Sequence, residues 1–353
     1  RRRGCRQTVT ACRLVGPMRN PRFFPRLLGG RFSGDTVTGQ TGNLSGNLSG
    51  SLTAPLHLAR TRLARSLAKT LLLRPPENAR PAQPAPLGRI GNLEVRLAAS
   101  PEEIEMAQQL RYQVFFEEMS AIASTAARRA RRDADGFDAI CDHLLVIDHG
   151  APRPAAQRHG PAIVGTYRLL RQAVAEAHGG FYTQGEYDIA PLIAAHPQLN
   201  FLELGRSCVL EPYRDKRTVE LLWHGIWAYV LQHGVDVMLG CASLAGTDPD
   251  RLAMPLSFLH QVAAAPAEWQ VRALQARRET MDRLPADRID HKAALRSLPP
   301  LIKGYLRLGG FVGDGAVIDH DFGTTDVLIV LPVANINPRY IAHYGADAGR
   351  YAR

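Results

Sequence analysis

Between residues 201 and 217 the chain reads FLELGRSCVLEPYRDKR, with Glu203, Arg206, Arg214, Lys216 and Arg217 set around an apolar run. A carboxylate among apolar neighbours can be pushed above its ordinary range and take a proton from an attacking amine. Glu203 alternates with Leu202 and Leu204, so it either faces solvent or stands in a cleft as such a base. Arg206 lies three residues on and would point to the opposite face of a regular strand. A bulge near Gly205 would bring both groups to one cleft. The cations of EPYRDKRTVELL sit where a strand gives way to a helix. They make either a solvated charge run or an anion-binding corner, where free helix N–H groups and charged side chains face one ligand.

Other reactive residue types offer less. Cys141, Asp142 and His143 are consecutive and cannot converge on one metal ion from a strand, so no metal is expected. Cys208 beside Arg206 reads either as an activated thiol or as a packed core cysteine. No Gly-x-Ser-x-Gly elbow or phosphate-binding P-loop occurs.

The elements that must position these residues follow from patterning. Residues 93–99 alternate as a strand. Ser100, Pro101 and Glu103 then supply an N-cap, a first-turn proline and a capping-box acid for a helix. Arg111 and Phe115, four apart, share a face of that helix. Strands are predicted over 143–148, 162–170, 201–210, 236–243 and 326–332. Helices are predicted over 217–233, within DPDRLAMPLSFLHQV, and at PPLIKGYLRLGG. The result is α/β: a mixed sheet with helices on its faces.

Charge is unevenly spread over the 353 residues. Residues 1–88 hold 15 basic and two acidic side chains, a net of +13, leaving −3 for the remainder. The basic arm is expected to be disordered: it has a Gly/Asn/Ser repeat and a Pro-rich linker, with a basic segment between them that could lie on anionic lipid. The folded part therefore gives no reason for a nucleic-acid partner. Five cysteines without a C-x-x-C pair fit reduced thiols in the cytoplasm. No apolar run is long enough to span a bilayer.

Strand, bulge, the helix opening YRDKRTVELL and a late helix ending in GGFV resemble the GCN5-related N-acetyltransferase fold. There the corner loop usually reads Q/R-x-x-G-x-G/A. Here Arg217 and Val219 replace both glycines, which removes the close backbone approach to a pyrophosphate. LRYQVFFEEM, DADGFDAICDHLLVID, IVGTYRLLR, FYTQGEYDI, LELGRSCVLEPYRDKRTVELLWHGI and GCASLAGTDP together resemble the bacterial ornithine N-acyltransferases, over about residues 89–345. The 1–88 arm and a 346–353 tail fall outside this match. Arg111, Phe115, Asp135, Asp138, Arg168, Glu203 and Arg206 also echo the related acyl-homoserine-lactone synthases.

The resemblance implies transfer of a (3-hydroxy)acyl group from acyl carrier protein to the α-amine of L-ornithine. That reaction is the first step toward ornithine lipid. No cofactor beyond the carrier's phosphopantetheine thioester is implied. Glu203 would be the base, directly or through water, and Tyr305 the acid for the leaving thiolate. Backbone N–H groups at Cys208 and Val209 would hold the oxyanion. Arg168 or Arg206 would pair with the ornithine carboxylate, and Asp135 or Asp138 with its second ammonium. Arg111 and Phe115 would close the pocket. Arg214, Lys216 and Arg217 would dock the acidic carrier. Met254, Leu256, Phe258 and Leu259 either line an acyl groove or pack in the core. The expected location is cytoplasmic, with peripheral contact at the inner leaflet. Alternatives are a different acceptor amino acid, a lactone-type synthase, or a haemolysin-like membrane-active or non-catalytic carrier-binding protein.

Overall fold

The computed structural model describes residues 84–119, 121–152 and 160–344. Most of the basic arm, and the tail beyond residue 345, lie outside the described residues. Gly88, given to the arm by composition, already belongs to strand β1 (Gly88–Ile90), which pairs with β2 (Leu93–Leu97).

Ser100 caps helix α1 (Pro101–Tyr112), its hydroxyl accepting the Glu103 N–H at 3.4 Å. Glu103 does not complete a capping box. Its carboxylate takes the Ala99 N–H and both Arg96 amino groups at 2.6–2.7 Å, which ties α1 to β2. The helix then widens into a π-helical stretch, Gln113–Glu118, where the Met119 N–H reaches back to the Val114 carbonyl at 3.1 Å. Such π-turns recur at functional sites, because the extra residue re-aims the side chains after it.

The remaining strands are β3 (Asp142–Asp148), β4 (Ile163–Arg171), β5 (Tyr187–Asp188), β6 (Phe201–Val209), β7 (Val237–Ala245), β8 (Arg272–Ala273), β9 (Arg278–Glu279), β10 (Phe311–Asp319) and β11 (Thr324–Pro332). Their order is β1-β2-β3-β4-β6-β7-β11-β10-β8-β5, with β9 also on β10. Neighbours are antiparallel from β1 to β6 and from β7 to β10, whereas β6 and β7 run parallel. Helix α2 (Lys216–His233) makes the β6-to-β7 crossover, capped by Asp215, which accepts the Thr218 N–H at 2.9 Å.

Two features of β6 matter most. Its pairing with β7 covers only Phe201–Glu203 against Val237–Leu239, so beyond Glu203 the two strands part. On its other edge, Thr166 opposes Cys208 while Arg168 opposes Gly205, so β6 carries one extra residue. Arg206 takes up that residue with φ of +50°, a left-handed backbone that costs a non-glycine residue of order 1 kcal/mol or more. Gly240 lies against the parting point: a Cβ there would sit 2.3 Å from the Leu204 carbonyl oxygen.

The sheet has a core on each face. Leu202 and Leu204 pack into the larger cluster with α1, α2, α3 (Ala253–Val262) and α4 (Pro300–Leu308). Phe201, Val237 and Leu239 pack into the smaller one with Phe181, Tyr187 and Leu192. Leu256, Phe258 and Leu259 of α3 are buried core residues; none of them lines the cavity where β6 and β7 part.

A candidate acyl-transfer site at the parting of two strands

A cavity of about 130 Å³ opens where β6 leaves β7. Its walls are Glu203–Ser207 of β6, Cys241–Ser243 of β7, and Tyr167 and Arg168 of β4. Phe115 and Met119 reach in from the π-turn, and Leu301, Ile302 and Tyr305 from α4. Tyr182, Asp319, Phe322 and Asp326 also line it, as does Cys141. Among described residues, no helix is long and apolar enough to cross a membrane.

Glu203 faces away from Leu202 and Leu204, as alternation requires, yet it is only 5% exposed. The 182–183 loop covers it: the Tyr182 N–H donates to Oε2 at 2.9 Å, and the Thr183 N–H to Oε1 at 2.7 Å. The Thr183 hydroxyl also donates to Oε1. A carboxylate offers about four acceptor positions; three are filled, and the open one is on Oε2. Burial raises the Glu203 carboxyl above its ordinary range, and the three donors from Tyr182 and Thr183 limit the rise. This is an ionisable base with room for one more donor.

The bulge expected near Gly205 falls at Arg206 and brings that side chain to the same cavity as Glu203. Arg206 lies over the rings of Tyr182 and Phe322, 4.9 Å from each centroid. It also approaches Asp133 at 3.3 Å and Asp135 at 3.4 Å. Burial works against its charge, but Asp133, Tyr182 and Asp135 more than compensate, so it stays a cation. Arg168 lines the cavity too and holds Asp135 at 2.6 Å and Asp138 at 3.3 Å.

Arg111 is set apart. It is 1% exposed and is gripped by Asp138 through two hydrogen bonds (2.8 and 2.9 Å) and by Asp133 at 2.8 Å. Asp138 also takes the Asp135 N–H at 3.1 Å, and its carboxyl is held well below the usual range because Arg111 and Arg168 outweigh its burial. Neither Arg111 nor Asp138 lines the cavity; they form an ion network behind it, joined to Arg206 through Asp133. Sequence reasoning did not single out Asp133, since one acid in RRDADGFDAICD carries no spacing signal. Phe115 does reach the cavity, edge-on to Phe322 at 5.6 Å.

Tyr305 also reaches it, its hydroxyl 2.9 Å from that of buried Tyr167. Burial, then the Tyr167 neighbour, push Tyr305 well above its ordinary value, so it stays protonated at neutral pH. Cys208 and Val209 are paired with β4 and lie outside the lining; the backbone facing the cavity is that of Leu204–Ser207. Burial pushes the Cys141 thiol up to about 12 and the Cys208 thiol higher, which disfavours the thiolate of either.

The cationic corner divides. Arg214 is engaged with the Val209 carbonyl at 2.9 Å and with Glu118, fastening the π-turn to the end of β6. Arg217 is exposed and touches the Ile90 carbonyl at 3.2 Å, and Lys216 is exposed beside Glu220 at 3.5 Å. Asp215 already occupies the helix N-terminus.

Comparison with known proteins decides the family. Residues 110–224 match a family model described as an acetyltransferase (GNAT) domain. An L-ornithine N(alpha)-acyltransferase of Rhizobium meliloti (strain 1021) is 56% identical over 266 residues, covering 75% of this chain and 88% of the relative. The chain belongs to the L-ornithine N(alpha)-acyltransferase family. It is an acyltransferase with a GNAT fold. The enzyme of the same name from Brucella abortus (strain 2308) is 56% identical over 75% of this chain and 93% of the relative. That from Rhodobacter capsulatus is 41% identical over 71% of this chain and 94% of the relative. A solved N-acyl amino acid synthase from uncultured soil microbes superimposes with a TM-score of 0.37 at 10% identity, covering 71% of this chain and 93% of the other, a likeness too distant to add to this. Within this acyltransferase family the cavity between β6 and β7 is the candidate active site.

Proposed function

We propose that this acyltransferase moves a (3-hydroxy)acyl group from an acyl carrier protein thioester to the α-amine of L-ornithine, giving lyso-ornithine lipid. The observation that carries the reading is Glu203, buried on the cavity wall with a single open acceptor position on Oε2. The ornithine α-ammonium gives a proton to Glu203, and the free amine attacks the thioester carbonyl. The oxyanion forms against the Leu204–Ser207 backbone, which β7 leaves unpaired on that side. The C–S bond then breaks; Tyr305 supplies the thiolate's proton and recovers one from the newly acylated nitrogen, with Tyr167 in contact behind it. Arg206 and Arg168 receive the ornithine carboxylate. Arg111, Asp133, Asp135 and Asp138 fix those two arginines in place.

For the donor, Lys216 and Arg217 present exposed charge beside the parted strands to an acidic carrier. Phe115, Met119, Leu301 and Ile302 give the cavity an apolar side for the acyl chain. The basic arm would add peripheral contact with an anionic leaflet. Mass spectrometry of purified protein with 3-hydroxyacyl carrier protein, the common amino acids and ornithine tests this. A product of ornithine plus one acyl group is expected. Acylation of another amine would replace the acceptor, and an intact thioester would overturn the reading.

A further inference from the structure

Glu186, Asp319 and Asp326 bring carboxylate oxygens within 4.8 Å of one another. Asp319 and Asp326 line the same cavity as Glu203, and none of the three was singled out from the sequence. Asp326 is 7% exposed and Glu186 4%. Asp326 Oδ1 and Glu186 Oε2 are buried without a well-formed hydrogen bond, although the Ser243 and Thr324 hydroxyls stand beside Asp326 and the Cys241 thiol beside Glu186. Two cations act on Glu186: Arg277 stands 3.6 Å from its other oxygen on a partly exposed side chain, and Arg206 is shared with Asp133 and Asp135. Buried acceptors are nearly always satisfied, and two buried acids this close resist double ionisation. Burial first, then Glu186, pushes Asp326 up to about 7, and burial raises Glu186 as well. These two acids leave room for one more donor on the pocket wall.

We propose that Glu186, Asp319 and Asp326 form the subsite that receives the side-chain ammonium of the acceptor amino acid. This rests on reading the cavity as the ornithine site. An alkylammonium carries three donors and no acceptor, and the cluster offers three carboxylates, two of them with an oxygen that lacks a well-formed hydrogen bond. Arginines at the α-carboxylate end and acids at the side-chain end would sort a dibasic acceptor from neutral ones. Asp135 and Asp138, the acids expected for this task, are already spent on Arg111, Arg168 and Arg206. A neutral side chain would leave those acceptors unfilled, the situation in which enzymes discriminate most strongly.

The test is kcat/KM of the full chain, with one acyl carrier protein thioester, for ornithine and for norvaline, the same skeleton without the terminal amine. Wild type should favour ornithine by roughly 100-fold or more. Asp326→Asn and Glu186→Gln should each cut kcat/KM for ornithine about 10- to 100-fold, leaving the norvaline value within about threefold. Equal losses on both acceptors, or no preference in the wild type, would overturn the proposal. So would a stoichiometric divalent ion in the purified protein that Asp326→Asn removes, which would make this a metal site. If Asp326→Asn does not fold, Glu186→Gln gives the same reading alone. A wild type that acylates norvaline and ornithine equally sinks only the subsite, whereas one that acylates neither removes the acyl-transfer reading beneath it.

Discussion

Asp133 stands between Arg111 and Arg206, and losing its carboxylate leaves two largely buried guanidinium groups short of a partner. Asp133→Ala should therefore cost about 3 kcal/mol or more of stability in denaturant unfolding, whereas removing exposed Lys216 should cost under about 1. Tyr305→Phe keeps the packing against Trp223 and removes only the hydroxyl. A thiolate is a fair leaving group, so kcat should fall by about tenfold, at the low end for a lost acid; an unchanged kcat removes Tyr305 from the chemistry. Asp326 predicts a pH effect on stability. Its folded pKa lies above its unfolded one, so the protonated form's contribution is complete below about pH 4. That contribution is lost as pH rises through about 7. In thermal melts of the unliganded protein, Asp326→Asn should remove this part of the decline between those pH values.

At the scale of elements, the proposed catalysis depends on how β6 leaves its neighbours. Gly240 lets β7 touch the Leu204 carbonyl oxygen just where the strands part, and a backbone atom cannot move aside as a side chain tip can. Gly240→Ala should lower both Tm and kcat, with kcat falling further than KM changes. A variant with lower Tm and unaltered kcat would show that the parting geometry is not critical. Strands β2, β3, β4, β6, β7 and β11 were legible in the sequence because alternation and β-branched runs mark a half- or fully buried strand. Strand parity alone put Glu203 and Arg206 on opposite faces; the bulge that unites them was implied by the family resemblance. Neither located the extra residue, because Arg206 adopts a left-handed backbone that glycine would mark and arginine does not. Strand β10 went unseen: Gly313 and Gly315 interrupt FVGDGAVID, and its register with β11 shifts between Val312 and Ala316. Its loss from view hid Asp319, and with it the acidic cluster. The π-turn after α1 left no signal either, since its sequence continues the helical pattern.

Across the whole molecule, charge is unevenly divided, which bears on the proposed acidic donor. The net +13 of residues 1–88 contrasts with −3 for the remainder, so on the folded part any attraction for the proposed carrier protein would come from local patches. Lys216→Ala with Arg217→Ala should raise the apparent KM for acyl carrier protein several-fold and reduce its salt dependence, with little change for ornithine. An equal change for both substrates would place these residues elsewhere in the cycle. Arg214 should behave differently, as a clip between the π-turn and β6, and its loss should lower Tm. The central claim is that Glu203, buried where β6 and β7 part, takes the proton from the attacking amine. The most direct measurement is the rate of ornithine acylation by Glu203→Gln across pH, with fold and carrier binding checked in parallel. The account predicts a loss of about 100-fold or more and disappearance of an acid limb lying above the ordinary carboxylate range. A rate within a few-fold of wild type, with the same pH profile, would contradict it.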